Sequence, residues 1–304
     1  MRVFGNIFLN NIVPAFLVMA AGVILDRVLK IDKKSLSRTA IYVLAPCMVF
    51  SSVVSSSVEM GVFISMIVFC IVIILVMCGL ALLVGRILGW SPRSTYALVL
   101  SVGFFNAGNF GLSILLFSYG EEAFALGVIF FTALAFASQT LSAFFAARGN
   151  CGSGKEALGR VLKLPTPYVF ILAIVLRSLK VQVPGPLLDP VALVGSAAVP
   201  VMLLMLGLQL SQTKMGGQYG KLAVGVVLRL IVGALAAVGL ASVMGLEGLA
   251  RNVAVVEAST PTAATSGLMA IEFDADADYV SGVIFLSTLL SSVTLTVIIS
   301  LLGS

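Results

Sequence analysis

Apolar positions dominate this chain in long, nearly unbroken runs, and short polar connections separate them. Ten runs stand out, at about residues 6–25, 36–57, 61–84, 95–117, 123–147, 165–180, 187–210, 222–245, 250–272 and 279–302. A helix rises 1.5 Å per residue, so about 20 apolar residues span a hydrocarbon core about 30 Å thick. Outer-membrane barrels instead show alternating segments of about ten residues. The pattern predicts an all-α polytopic membrane protein with ten transmembrane helices.

Composition agrees with that class. Of 304 residues, 60% are hydrophobic and 10% charged, whereas a soluble domain carries about 25% charged residues. Lipid must solvate most of this surface. The first run follows a single arginine, and its length and the basic residues after it fit a first span better than a signal peptide. The net charge of +5 comes from basic residues in loops, none interleaved with aromatics, so no nucleic-acid partner is expected. Counting Lys and Arg after odd-numbered spans gives thirteen, from Arg27 to Lys221, against Arg2, Arg177, Lys180 and Arg251 on the other side. The positive-inside rule then predicts an integral protein of the cytoplasmic membrane with both termini on the non-cytoplasmic side.

The chain has no histidine, and Cys47, Cys70, Cys78 and Cys151 form no CxxC pair. Neither a zinc site, a disulfide framework nor Ser/His chemistry is supported. The acidic set Glu272, Asp274, Asp276 and Asp278 lies at a loop, where a solvated face is expected. An enzyme is not expected, nor any organic cofactor.

The second half echoes the first. Pro14 in VPAFLVMAAGVILDR pairs with Pro167 in TPYVFILAIVLR; Pro46 in APCMVF pairs with Pro200 in VPVMLL; LGVIFFTALAFASQT pairs with SGVIFLSTLLSSVTL. The offsets are 153, 154 and 155 residues. Residues 1–150 and 151–304 therefore read as two repeats of five spans each. An odd number of spans inverts the second copy, a recurring construction of secondary transporters.

Two stretches interrupt the apolar pattern at matching depth. Span four carries NAGNFG at 106–111, and span nine carries STPTAAT at 259–265. Each lies about eleven residues into its span, roughly 15 Å, half the thickness of the core. Glycine and proline weaken a helix by about 1 and 3 kcal/mol relative to alanine. Both helices are therefore expected to break at mid-membrane, around Gly111 and Pro261, and to cross there. Freed backbone groups would then face a polar cavity rather than lipid, and half-helix N-termini suit a carboxylate. Candidate substrate contacts are Asn106, Asn109 and Gly108 in span four, with Ser259, Thr260, Pro261, Thr262 and Thr265 in span nine. On an unbroken helix Asn106 and Asn109 would lie near one face. The competing reading is helix–helix glue.

Glu257 stands alone in VAVVEASTPTAAT. A lone carboxylate in a low-dielectric medium tends to hold its proton. Three roles compete: proton carrier, ligand of a coupling Na⁺ near Glu257 and Asn106, or structural partner of Arg229 across the bundle. Arg229 itself lies close enough to a span end to snorkel. Gln139, Gln209, Ser51, Asn10 and Asn11 are secondary cavity-lining candidates.

The chain resembles the auxin efflux carrier family in its compact bacterial form, which includes malonate and malate permease-like proteins. The likeness runs through NIVPAFLVMAAGVILDR, YVLAPCMVF, NAGNFGLSILLFSYGEEA, VPVMLLMLGLQL and STPTAATSGLMAIEFDADADYVSGVIFLSTLLS. It implies two inverted five-helix repeats, scaffold and transport domains each built from both repeats, and crossed broken helices four and nine. The fold so implied is similar to that of bile-acid sodium symporters and sodium/proton antiporters. It also implies alternating access and small organic anions as substrates, with Asn106, Asn109 and Pro261 at the family's functional positions. The long central loop of plant auxin carriers is missing, and Glu257 is not a usual feature of the family. The expected function is secondary active transport of a carboxylate or dicarboxylate, coupled to H⁺ or Na⁺, with membrane lipid and a second copy in a homodimer as candidate partners. The alternatives are a sodium-coupled carrier like the bile-acid symporters, a ligand-binding sensor, or a channel.

Overall fold

A computed structural model describes residues 2–29, 31–148, 164–213, 219–272 and 274–303. All ten apolar runs lie in helices, and the described residues form no strand. Among the described residues, seven helices are long and apolar enough to cross a membrane: Phe4–Leu29, Lys33–Val54, Met60–Ile87, Ala107–Ser138, Gly185–Leu210, Tyr219–Val243 and Ala277–Leu302. Pro165–Ser178 is shorter, and the runs around 95–117 and 250–272 are interrupted. The central connection 149–163 and the side chain of Gln139 lie outside the described residues.

The helices sort their side chains by neighbour rather than by polarity. Leu17, Ile24, Leu75, Leu193, Leu235 and Val243 are exposed on the outer faces, where a soluble protein would carry charge and lipid is the fitting solvent. Met66, Phe69, Ile73, Phe130 and Val256 fill the interior. Helix Val13–Leu29 packs along Ala198–Leu210. The contact is so close that a methyl group on Gly207 would meet the Met19 carbonyl oxygen, and one on Gly22 the Leu204 carbonyl oxygen. With no hydrophobic force between helices in lipid, backbone approach of this kind is what binds them. Helix Ala45–Val54 packs in turn against Pro165–Ser178. Pro14 and Pro46 each follow a π-helical turn, Phe8–Ile12 and Ala40–Leu44. The wider turn absorbs the carbonyl that proline, lacking an N–H, cannot satisfy.

Two interruptions position the centre of the molecule. Helix Pro92–Gly103 starts on Ser91, whose side chain accepts from the Ser94 amide, and stops where Phe104 turns extended (φ −116°, ψ 130°). A π-turn, Ala107–Gly111, restarts the helix behind Asn106. The segment Leu112–Arg148 then turns at Gly120, whose φ of 79° is the left-handed region open to glycine, so the fourth and fifth runs are separate helices. In the same way Gly248–Ala258 ends at Ser259 and helix resumes at Ser266–Glu272.

Candidate functional site

The two breaks meet. Phe105 and Thr262 form an antiparallel bridge: the Asn106 amide donates to the Pro261 carbonyl at 2.8 Å, and the Ala263 amide to the Phe104 carbonyl at 3.0 Å. Backbone groups released by each break therefore find partners in the other, as a water-poor interior requires.

Around this bridge the candidate residues fall into distinct environments. Asn106 is 3% exposed and precedes the π-turn. Its carbonyl accepts from the Phe110 and Gly111 amides, while its side-chain Nδ2 has no hydrogen-bond partner. Gly108 is buried and packs on the Phe131 ring. Asn109 is half-buried and lies within the π-turn, whereas Asn106 stands before it in a non-helical conformation (φ −85°, ψ 51°), so the two are not successive positions of one unbroken helix. Helix geometry leaves the amides of Ala107, Gly108 and Asn109 without acceptors in their own helix.

The hydroxyls of the other break are turned to the main chain. Ser259 Oγ donates to Val255 O at 2.6 Å, Thr260 Oγ1 to Glu257 O at 2.6 Å, and Thr262 Oγ1 to Ser101 O at 2.6 Å. All three residues are fully buried, and the Thr262 amide donates to Ser287 Oγ. Thr265 is exposed. Only lone pairs of the buried hydroxyls remain for another ligand.

Arg229 departs from expectation. It does not snorkel: its exposure is 0%. Its Nη1 donates to Val102 O at 2.7 Å and its Nη2 to Ala258 O, and its guanidinium carbon lies 4.3 Å from the Phe105 ring centre. The neighbouring Gly233 makes room, since a methyl there would come within 2.9 Å of Nη2. The guanidinium turns inward because two helix ends with unpaired carbonyls lie within its reach, a stronger attraction than a distant interface.

Glu257 is likewise fully buried, but no ion pair joins it to Arg229 among the described residues, so that reading of Glu257 falls. Neither carboxyl oxygen has a hydrogen-bond partner. The carboxyl lies against Gly111, beyond the break in the fourth run, and within 3.0 Å of where a methyl on Gly127 would stand.

Two cavities flank the centre, at opposite ends of helix Ala198–Leu210. One, about 460 Å³, is lined by Lys33, Leu208, Gln209, Gln212, Asp278 and Ser281 among others. The second, about 500 Å³, is lined by Val18, Ser51, Glu121, Pro200 and Leu203 among others. Between these ends the helix packs on the Ala107–Gly111 turn, and Phe110 of that turn meets Phe16 edge to face at 5.8 Å. Gln209 ties the first cavity to the break, donating to Ala264 O at 2.7 Å. Of the secondary candidates, Gln209 and Ser51 line cavities; Asn10 is exposed.

Sequence reasoning missed the roles of Arg229 and Ser287. The signal for Ser287 is the hydroxyl run STLLSS facing an interrupted helix. For Arg229 it is a charge in an apolar run one residue-turn from Gly233.

Comparison with known proteins gives this geometry a family. A family model described as membrane transport protein matches residues 7–151 and 153–299. An uncharacterized transporter of Methanothermobacter thermautotrophicus is 27% identical over 267 residues, covering 87% of each chain. An uncharacterized transporter of Methanocaldococcus jannaschii is 28% identical over 267 residues, covering 85% of this chain and 86% of its own. The match across both halves, with the apolar helices beneath it, makes this chain an integral membrane protein that belongs to the membrane transport protein family, the auxin efflux carriers.

Proposed function

We propose that the protein is a secondary active transporter of a small organic anion bearing one or two carboxylates, working by alternating access. The observation that carries this reading is the pair of interrupted helices bridged at Phe105 and Thr262, beside a helix with a cavity at each end. A solute held at the breaks would meet one cavity or the other as the packing around Ala198–Leu210 changes.

The chemistry of the break favours an anion. Asn106 Nδ2 is a buried donor without a partner, and the first amides of the Ala107–Gly111 turn add donors and the positive end of a helix dipole. Asn109, half-buried at the same turn, is the side chain best placed to discriminate among carboxylates.

The ten runs act as ten spans in two inverted repeats, at 1–150 and 151–304. Two pairings support this: the first run packs on the seventh, and the second on the sixth, which an inverted repeat relates to each other. The bridged residues, 157 apart, also lie close to the repeat offset. Both termini then face away from the cytoplasm, in the plasma membrane. Glu257 links transport to a cation.

The experiment is a thermal-shift screen of monocarboxylates, dicarboxylates, keto acids and indole acids on the purified protein, followed by uptake of the best binder into proteoliposomes. A binder raises the melting temperature by mass action. Asn109→Ala abolishes uptake with an unchanged melting temperature in the absence of ligand. Full uptake by that variant removes the site assignment; substrate consumption without uptake removes the transport reading.

A further inference from the structure

Helices interrupted inside a membrane leave carbonyl-ended stubs, and in transporters such ends commonly hold the coupling cation. Here helix Pro92–Gly103 ends beside Val102 O and helix Gly248–Ala258 ends at Ala258 O. One side chain takes a hydrogen-bond position at both, the guanidinium of Arg229. It is fully buried, lies over the Phe105 ring at 4.3 Å, and is given space by Gly233.

We propose that Arg229 is the resident cation of the crossing: it holds the two carbonyl poles together and takes the place in which a coupling Na⁺ would be bound. The fork of a guanidinium suits this task, because two donors leave one planar group toward two separate acceptors, and its face stacks on an aromatic ring. A sodium ion at the same point would need several oxygen ligands, and the two carbonyls are already engaged. Nor does Glu257 offer a second sodium position. Its carboxyl lies against Gly111 and Gly127, where the other nearest atoms are side-chain carbons of Thr260, Leu112 and Leu115, and neither of its oxygens has a hydrogen-bond partner. Of the titratable side chains on the helices that pack around it, Cys70 and Arg229 are 0% exposed, while Cys78, Arg86, Tyr119, Glu121, Glu122, Asp278 and Tyr279 are not. The coupling cation left for Glu257 is the proton. Arg229 is a positioning residue in this account, and the inference rests on the crossing being the transport site.

The test compares melting temperatures of wild type and Arg229→Ala in choline, sodium and guanidinium chlorides at equal, low millimolar ionic strength. Wild type gives the same value in all three salts. Arg229→Ala loses about 10 °C in choline; guanidinium restores most of the loss, and Arg229→Lys keeps part of it. Sodium raises Arg229→Ala more than choline does, since the vacated poles now accept it. Guanidinium acting no differently from choline on Arg229→Ala overturns the proposal, as does a sodium-specific rise in wild type. If Arg229→Ala cannot be purified, the wild-type salt comparison decides alone, with a sodium-specific rise overturning the proposal and its absence supporting it. A failed carboxylate screen would remove the transport reading and leave these melting temperatures standing.

Discussion

Gly111 and Glu257 touch so closely that a methyl group on the glycine would run into the carboxyl group of the glutamate. One residue lies just beyond the break in the fourth run and the other just before the break in the ninth. The carboxyl is thus held by shape alone, with no hydrogen bond to either oxygen.

That contact predicts a coupled pair of substitutions. Gly111→Ala overpacks the site and costs about 1–3 kcal/mol. Adding Glu257→Ala to the same chain recovers part of the loss, because the methyl then enters vacated space. A double-mutant cycle on melting temperature measures this; strictly additive losses would show that the two side chains do not share the space.

A neutral isostere separates shape from proton chemistry. Glu257→Gln fits the same pocket, so the protein folds and binds anion, but uptake loses its dependence on the pH gradient. Uptake into liposomes at several internal and external pH values is the measurement. An unchanged pH profile would make Glu257 structural.

The first and seventh runs offer a packing test. Gly207→Ala drives a methyl onto the Met19 carbonyl oxygen, part of a backbone that cannot rotate away, and costs about 3 kcal/mol. Gly239→Ala meets nothing within 4 Å and gains up to about 1 kcal/mol of helix propensity. Melting temperatures moving in opposite directions satisfy the prediction.

The hydroxyl of Thr262 donates to Ser101 O within the buried centre. Thr262→Val keeps the shape and leaves that carbonyl unsatisfied, a cost of about 1–3 kcal/mol. Thr262→Ser keeps the bond and most of the stability. Equal melting temperatures for the two variants would place the contribution of Thr262 in packing instead.

Outside the spans, Asp32 caps helix Lys33–Thr39 by accepting from the Lys34 and Ser35 amides. The Ser35 hydroxyl first, and the Lys34 amide next, hold its carboxyl below the usual carboxylate range. A carboxyl lowered by folding contributes fully above its unfolded pKa, and that contribution disappears as pH falls through the folded value. Amide-exchange protection over Lys34–Leu36, corrected for intrinsic rates, therefore drops in wild type only in acid, and in Asp32→Ala already at neutral pH.

Much of the fold could be read from the sequence because lipid leaves few options. Backbone groups must be paired internally, so apolar runs of about 20 residues become helices, and the described residues of the ten runs are mostly helical, with the fourth and ninth broken at their centres. The breaks were legible for the same reason: Gly103, Gly108, Gly111 and Pro261 weaken helix where no water can compensate. Contacts set by the third dimension were not legible. Nothing in the order of residues says that the protons of Ser259, Thr260 and Thr262 turn to carbonyls. Arg229 read as a snorkelling surface charge because its partners, Val102 and Ala258, are 127 and 29 residues away. Arg229 was one candidate partner for Glu257, and it proved to be engaged elsewhere.

The stitch joining the two breaks uses main-chain atoms alone, from Asn106 to Pro261 and from Ala263 to Phe104. Amides and carbonyls are common to every residue except proline's missing N–H, so these two bonds do not require a particular side chain at 105, 106 or 262, whatever the Thr262 hydroxyl and Arg229 add beside them. Side chains at those positions can therefore change over evolutionary time while the backbone bridge beneath them is inherited unaltered.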